Sequence, residues 1–115
     1  MDLTLNIVVE GKEKMISCPD EDDIVKALLM IVGKDDFFII LSRSEGTYMQ
    51  TDGNSLEHQE GSLDYHYYSP QCHISVETTA NIFLSYARGN DWWKQAIPWQ
   101  SGFPSGTSLP GNGRN

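Results

Sequence analysis

Apolar and polar residues alternate at the start of the chain, where Leu3, Leu5, Ile7 and Val9 are separated by Thr4, Asn6 and Val8. A period of two sends successive side chains to opposite faces, so this stretch reads as a half-buried strand. Gly11-Lys12 offers a turn, and residues 14–18 a short returning strand that completes a hairpin. The period then lengthens. Ile24, Val25, Leu28, Leu29 and Val32 fall at helical spacing behind Pro19 and the acids Asp20, Glu21, Asp22 and Asp23. A proline at the start and carboxylates in the first turn suit a helix N-terminus. Gly33 suits its stop, so the expected helix covers 20–32.

Phe37-Phe38-Ile39-Ile40-Leu41 is a continuous apolar run of β-branched and aromatic residues, the pattern of a central strand. Ser44-Glu45-Gly46, Asp52-Gly53-Asn54 and Glu60-Gly61-Ser62 then punctuate the chain as turns. Between and after them lie short strands at 47–51, 56–59 and 64–68, a meander of antiparallel strands. Ser75 has the hydroxyl of a helix N-cap. Val76, Ala80, Phe83, Leu84 and Ala87 follow as one apolar stripe, with Arg88 and Gly89 suited to the helix end. Residues 92–99 read as an extended closing segment carrying Trp92, Trp93 and Trp99, in which Pro98 limits any strand to an edge. The fold class expected is α+β: a mostly antiparallel sheet of five to six strands with two helices packed on one face.

Length and composition fit one domain. A single α+β domain is expected over residues 1–100. Residues 101–115 are rich in Gly, Pro and Ser, and their only large apolar side chains are Phe103 and Leu109, so a flexible tail is expected there. The net charge is −8, from 16 acidic and 8 basic residues. Such a surface repels phosphates and anionic lipid, which argues against nucleic-acid and membrane-surface binding. It attracts a basic protein partner, although acidity also serves solubility alone. Cys18 and Cys72 are too few for a disulfide framework. The N-terminus carries no secretory pattern and no apolar run approaches a membrane span. A cytoplasmic chain with free thiols is the expectation.

Candidate chemistry is sparse. The acids 20–23 lack the alternating ligands and central glycine of a calcium loop, and read as a helix start. His58 and His66 fall on neighbouring expected strands beside Glu57 and Asp64, yet a metal site needs three or four converging ligands, and none is assigned. The same histidines with a carboxylate are the one acid–base set worth weighing for an enzyme. Cys72-His73 point apart if extended, so they form no nucleophile pair. No phosphate-binding loop or nucleophile elbow occurs. No catalytic residue and no cofactor are therefore expected. Tyr48, Tyr65, Tyr67 and Tyr68 lie on the meander among carboxylates. Two outcomes are open for these rings: burial under the helices, or an exposed protein-binding face. The expected contacts of such a face are Glu57, Glu60, Asp64, Tyr65 and Tyr67.

The order of elements carries a resemblance. A helix leads to the strand at 37–41 and a meander holding Gln50-Thr51 and Leu56-Glu57-His58-Gln59-Glu60-Gly61-Ser62. A helix ending Phe83-Leu84-Ser85-Tyr86-Ala87-Arg88-Gly89-Asn90-Asp91 follows, then a closing segment with Trp99. Over residues 20–100 this layout resembles the Imm1-type immunity proteins, small partners that neutralise bacterial polymorphic toxins. The chain is also similar in size to the orphan proteins of integron gene cassettes on mobile elements. The first resemblance implies a non-enzymatic protein that binds and neutralises a toxin. The alternative from the residues is a homodimer that holds a small ligand between sheet and helices.

Overall fold

The computed structural model describes residues 3–32, 34, 36–71 and 73–104. The opening alternation forms β1 (Thr4–Val9), which pairs antiparallel with β2 (Lys12–Ser17). Their turn falls on Glu10 and Gly11, both at positive φ, as a two-residue hairpin loop requires. This is one residue earlier than the glycine-lysine pair suggested. Helix α1 (Glu21–Met30) is capped by Asp20, whose carboxylate accepts from the Asp23 amide at 2.8 Å. The Asp23 carboxylate accepts in return from the Asp20 amide at 3.0 Å, a reciprocal capping box. The helix is shorter than 20–32 at both ends, and its expected stop, Gly33, lies outside the described residues.

Next come β3 (Phe37–Ser44), β4 (Thr47–Thr51), β5 (Leu56–Glu60) and β6 (Ser62–Tyr68), the expected meander. Helix α2 (Val76–Arg88) starts at Ser75, whose hydroxyl accepts from the Thr78 amide, and ends at Gly89 with φ 80°. After it the chain departs from expectation. Residues 92–96 form a short helix α3 (Trp92–Ala96) rather than an extended segment. The Asn90 carboxamide and the Ser85 hydroxyl, hydrogen-bonded to each other, accept from the amides of Trp92 and Trp93. They satisfy first-turn donors that a helix leaves open. A seventh strand, β7 (Gln100–Ser101), then pairs with β6. The expected domain boundary after residue 100 thus falls inside a strand. The Gly102 amide donates to the His66 carbonyl at 2.8 Å, and the Phe103 ring stacks on His66 at 3.9 Å. Residues 105–115, the rest of the expected tail, lie outside the described residues.

The sheet order is β2-β1-β3-β4-β5-β6-β7, antiparallel at every pair. The class is α+β as read from the sequence, with seven strands where five or six were expected. Register aligns Ile16, Leu5, Leu41, Met49, His58, Tyr67 and Ser101 in one row across the sheet. That row lies on the face the helices cover. Leu5, Ile7, Ile39, Leu41, Met49 and Leu56 pack there against Ile24, Leu28, Ile82 and Phe83, all buried. At the far ends of the helices, Arg88 forks onto the Glu21 carboxylate at 2.7 and 2.8 Å, tying α2 to α1. This pair holds the Glu21 carboxyl below its usual range. No helix among the described residues is long and apolar enough to cross a membrane.

Two hairpin tips meet beside the end of β5. The Gly61 amide donates to the Gly46 carbonyl at 2.9 Å, and Gly46 adopts φ 82°. A Cβ on Gly46 would sit 2.6 Å from the Gly61 carbonyl oxygen, which is backbone and has no rotamer to change. Left-handed strain and this overlap act together, so Gly46→Ala is expected to cost about 2 kcal/mol or more in urea unfolding. A loss below about 0.5 kcal/mol, the scale of a neutral surface change, would contradict the contact.

Candidate functional site

His58 is the first residue to follow. Alternation along β5 turns it to the helix side, and register sets it beside Tyr67, whose ring stacks on it at 4.7 Å. The rings of Trp93 from α3 and Trp99 both meet it edge-on at 4.6 Å. Trp99 is held by its indole N–H, which donates to the Trp93 carbonyl at 3.0 Å. The imidazole is 7% exposed, and its Nδ1 has no hydrogen-bond partner. Burial disfavours the charged ring and lowers its pKa to about 4, with His66 and Lys94 adding repulsion. The Glu60 carboxylate stands 3.9 Å from Nδ1, beyond hydrogen-bond reach. Being half exposed, it is solvated and does not offset the burial of the ring.

These aromatics wall a groove of about 510 Å³ between β6 and α3, which Glu60 and Lys94 also line. A second lobe of about 300 Å³ shares Glu60, Trp93 and Lys94 and continues to Arg43, Tyr86 and Asn90. Lys94 places its ammonium 5.7 Å from the Trp93 ring centroid. Tyr86 is buried, and its hydroxyl has no partner. Burial pushes that hydroxyl up to about 12, against the pull of Arg43, whose guanidinium lies 4.7 Å over the ring and bonds the Tyr86 carbonyl. Among the described residues, His58 Nδ1 and Tyr86 Oη are the buried side-chain polar atoms left without a partner. An unpaired buried polar atom is costly and calls for a reason. Both belong to residues lining this groove, which singles it out.

A separate cavity of about 410 Å³ lies between Leu28, Ile31, Phe37, Val76 and Thr79. In its lining the Thr51 hydroxyl donates to the Ser55 carbonyl and accepts from the Gly53 amide, and Asp52 accepts from the amides of Asn54 and Ser55, while Lys34 and Asn54 also border it. Among the described residues, no buried polar atom left without a partner belongs to it.

The sheet divides the five contact residues expected from the sequence. Tyr67, Glu60 and the 57%-exposed Tyr65 stand on the groove side. Glu57 faces the other way, where its carboxylate accepts from His66 Nε2 at 2.8 Å, and alternation puts exposed Asp64 on that side too. They form two surfaces, not one patch. Glu60 lies two positions after His58 on β5, so alternation puts both on the groove side.

His66 also faces away from the groove. Its Nδ1 meets the Gln59 carboxamide oxygen at 3.0 Å, an orientation fixed because Gln59 Nε2 donates to the Gly46 carbonyl. His58 and His66 therefore lie on opposite faces, and the acid–base pair weighed from the sequence does not meet. Among the described residues no three His, Cys, Asp or Glu side chains converge for a metal. Cys72, weighed with His73, lies outside the described residues. Sequence reasoning passed over Trp93, Trp99, Tyr86 and Lys94 as site residues. One signal was available: all three tryptophans fall within residues 92–99.

Stacking, cation–π attraction, the charges of Glu60 and Lys94, and hydrogen bonds at the His58 imidazole and the Tyr86 hydroxyl are what this groove can supply. Comparison with protein-family models, with curated proteins and with solved structures finds no match, so the likeness to immunity proteins rests on the layout already described.

Proposed function

We propose that this chain is a non-catalytic protein-binding domain that receives a basic side chain of a partner in the groove between β6 and α3. The observation that carries the reading is the set of three rings, Tyr67, Trp93 and Trp99, walling a groove that has Glu60 on its rim. Aromatic faces attract cations, and a nearby carboxylate adds to that attraction. The chain's own Lys94 already illustrates the mode, with its ammonium over Trp93 and exposed Asp91, at 3.4 Å, as its ion-pair partner among the described residues. An incoming Arg or Lys can take that place. The net charge of −8 steers a basic protein toward the surface. Neutralisation of a toxin, the role the likeness to immunity proteins implies, is a use of this kind of binding. Small-ligand binding is the second reading, favoured by a groove volume inside the range of ligand sites.

Titration with short peptides bearing one Arg or Lys, read by tryptophan fluorescence, tests the first reading. A saturable response is expected, absent with a neutral peptide. Glu60→Gln and Tyr67→Leu, which keep every tryptophan reporter, are expected to weaken it about tenfold, the equivalent of about 1.4 kcal/mol. No saturable response, or equal affinity in both variants, sinks the proposal.

A further inference from the structure

We propose that the sheet face opposite the helices is the surface on which two copies of this chain pack together. This face is separate from the groove, so either proposal can fail while the other stands.

Register identifies what the face presents. Thr4, Asn6 and Val8 of β1 align with Ser42, Ile40 and Phe38 of β3, and Ser42 and Ile40 align in turn with Tyr48 and Gln50 of β4. These eight positions are half-buried or, for Phe38, 38% exposed. None carries a charge. The carboxylates stand at its margins: Glu13 on β2, bonded to Asn6, Glu57 and Asp64 on β5 and β6, and Glu45 at the β3–β4 turn, which borders a recess with Thr4, Asn6, Ser42 and Tyr48. A charge-free centre with apolar side chains inside a polar margin is the make-up of an interface core and its rim.

The charge pattern points to a second copy. A basic partner is drawn to carboxylates, and the centre of this face has none. Two copies that each carry −8 repel, and the surface where they can meet at least electrostatic cost is one whose middle is uncharged. A single face that pairs with itself across a two-fold axis needs no second complementary surface. Size also fits. Six strands about 4.8 Å apart and about 18 Å long span a plane of roughly 500 Å² before side-chain relief, the scale of the ~800 Å² per partner in stable interfaces. Sheets packed in this way stand about 10 Å apart with their inner side chains interleaved.

Light scattering coupled to size-exclusion chromatography of the full chain is the test. The wild type is expected at twice the chain mass, falling to one chain mass on dilution. Ile40→Lys is expected to give one chain mass at every concentration, with an unchanged far-ultraviolet spectrum. Gln50→Lys serves if Ile40→Lys does not fold. Leu29→Lys adds the same charge on exposed α1 and is expected to remain dimeric. A monomeric wild type overturns the proposal, as does a dimer that both face variants leave intact. If deleting residues 105–115 converts a monomer into a dimer, the occupant of the face is the chain's own end, and the proposal is equally overturned.

Discussion

Replacing Trp93 by alanine is expected to lower the unfolding free energy by about 3–5 kcal/mol, the range for removing a buried aromatic side chain. That is a large share of the roughly 5–15 kcal/mol that holds a domain folded. Trp93 is 5% exposed, and its ring meets three others: His58 at 4.6 Å, Tyr86 at 5.4 Å and Trp99 at 6.0 Å. Its backbone is equally engaged, with its amide bonded to the Ser85 hydroxyl and its carbonyl accepting the Trp99 indole. Those backbone bonds keep the surroundings from collapsing inward, so the vacated space persists as a cavity. The neighbouring Trp92 is 47% exposed and meets no other ring among the described residues, and its alanine variant is expected to lose no more than about 1 kcal/mol. Urea unfolding of the two variants measures the difference. Equal losses would refute the assignment of Trp93 as the piece that joins α3 to the sheet.

Acid is expected to weaken the fold through His58. An ordinary histidine in the unfolded chain titrates near 6.5, while burial holds the folded-state value at about 4. Above pH 6.5 the ring is neutral in both states and contributes no pH dependence. Between pH 6.5 and 4 the unfolded chain takes up a proton that the folded chain refuses, so stability falls as pH falls. Below about 4 both states are protonated and the loss levels off. At about 1.4 kcal/mol per unit the difference corresponds to about 3 kcal/mol across this window. Tyr67, Glu60, Lys94 and His66 are the titratable groups set around the ring. The chain carries other histidines and many acidic side chains, so the comparison must be differential. Subtracting the pH profile of His58→Phe, which retains a ring among Tyr67, Trp93 and Trp99, isolates the imidazole. Parallel profiles for the two proteins between pH 6.5 and 4 would show that His58 is not held neutral by its surroundings.

Much of this architecture is written locally. The alternation from Leu3 to Val9 and the run at 37–41 became β1 and the front of β3, and the stripe from Val76 to Ala87 became α2 between its Ser75 and Gly89 caps. Period, capping chemistry and turn residues act over a few positions, so they are legible without knowing the neighbours. Two residues of β7 carry no period, and α3 takes its caps partly from Ser85 in the preceding helix, so neither was visible in that way. The candidate site was legible only in its ingredients. Tyr67, Glu60 and His58 were in view, but Trp93 and Trp99 join them through contacts spanning more than thirty residues of chain. By composition alone, a meander of tyrosines and acids is compatible with one patch. Pairing in register instead gives Glu57 to one face and Tyr67 to the other, because neighbouring positions on a strand diverge. The chain alone thus determined its two long helices, the strands β1 to β6, its α+β class and its acidity. Strand order, the covered face and the meeting of His58 with two tryptophans were decided by tertiary packing, since burial depends on which distant segments arrive on each side of the sheet.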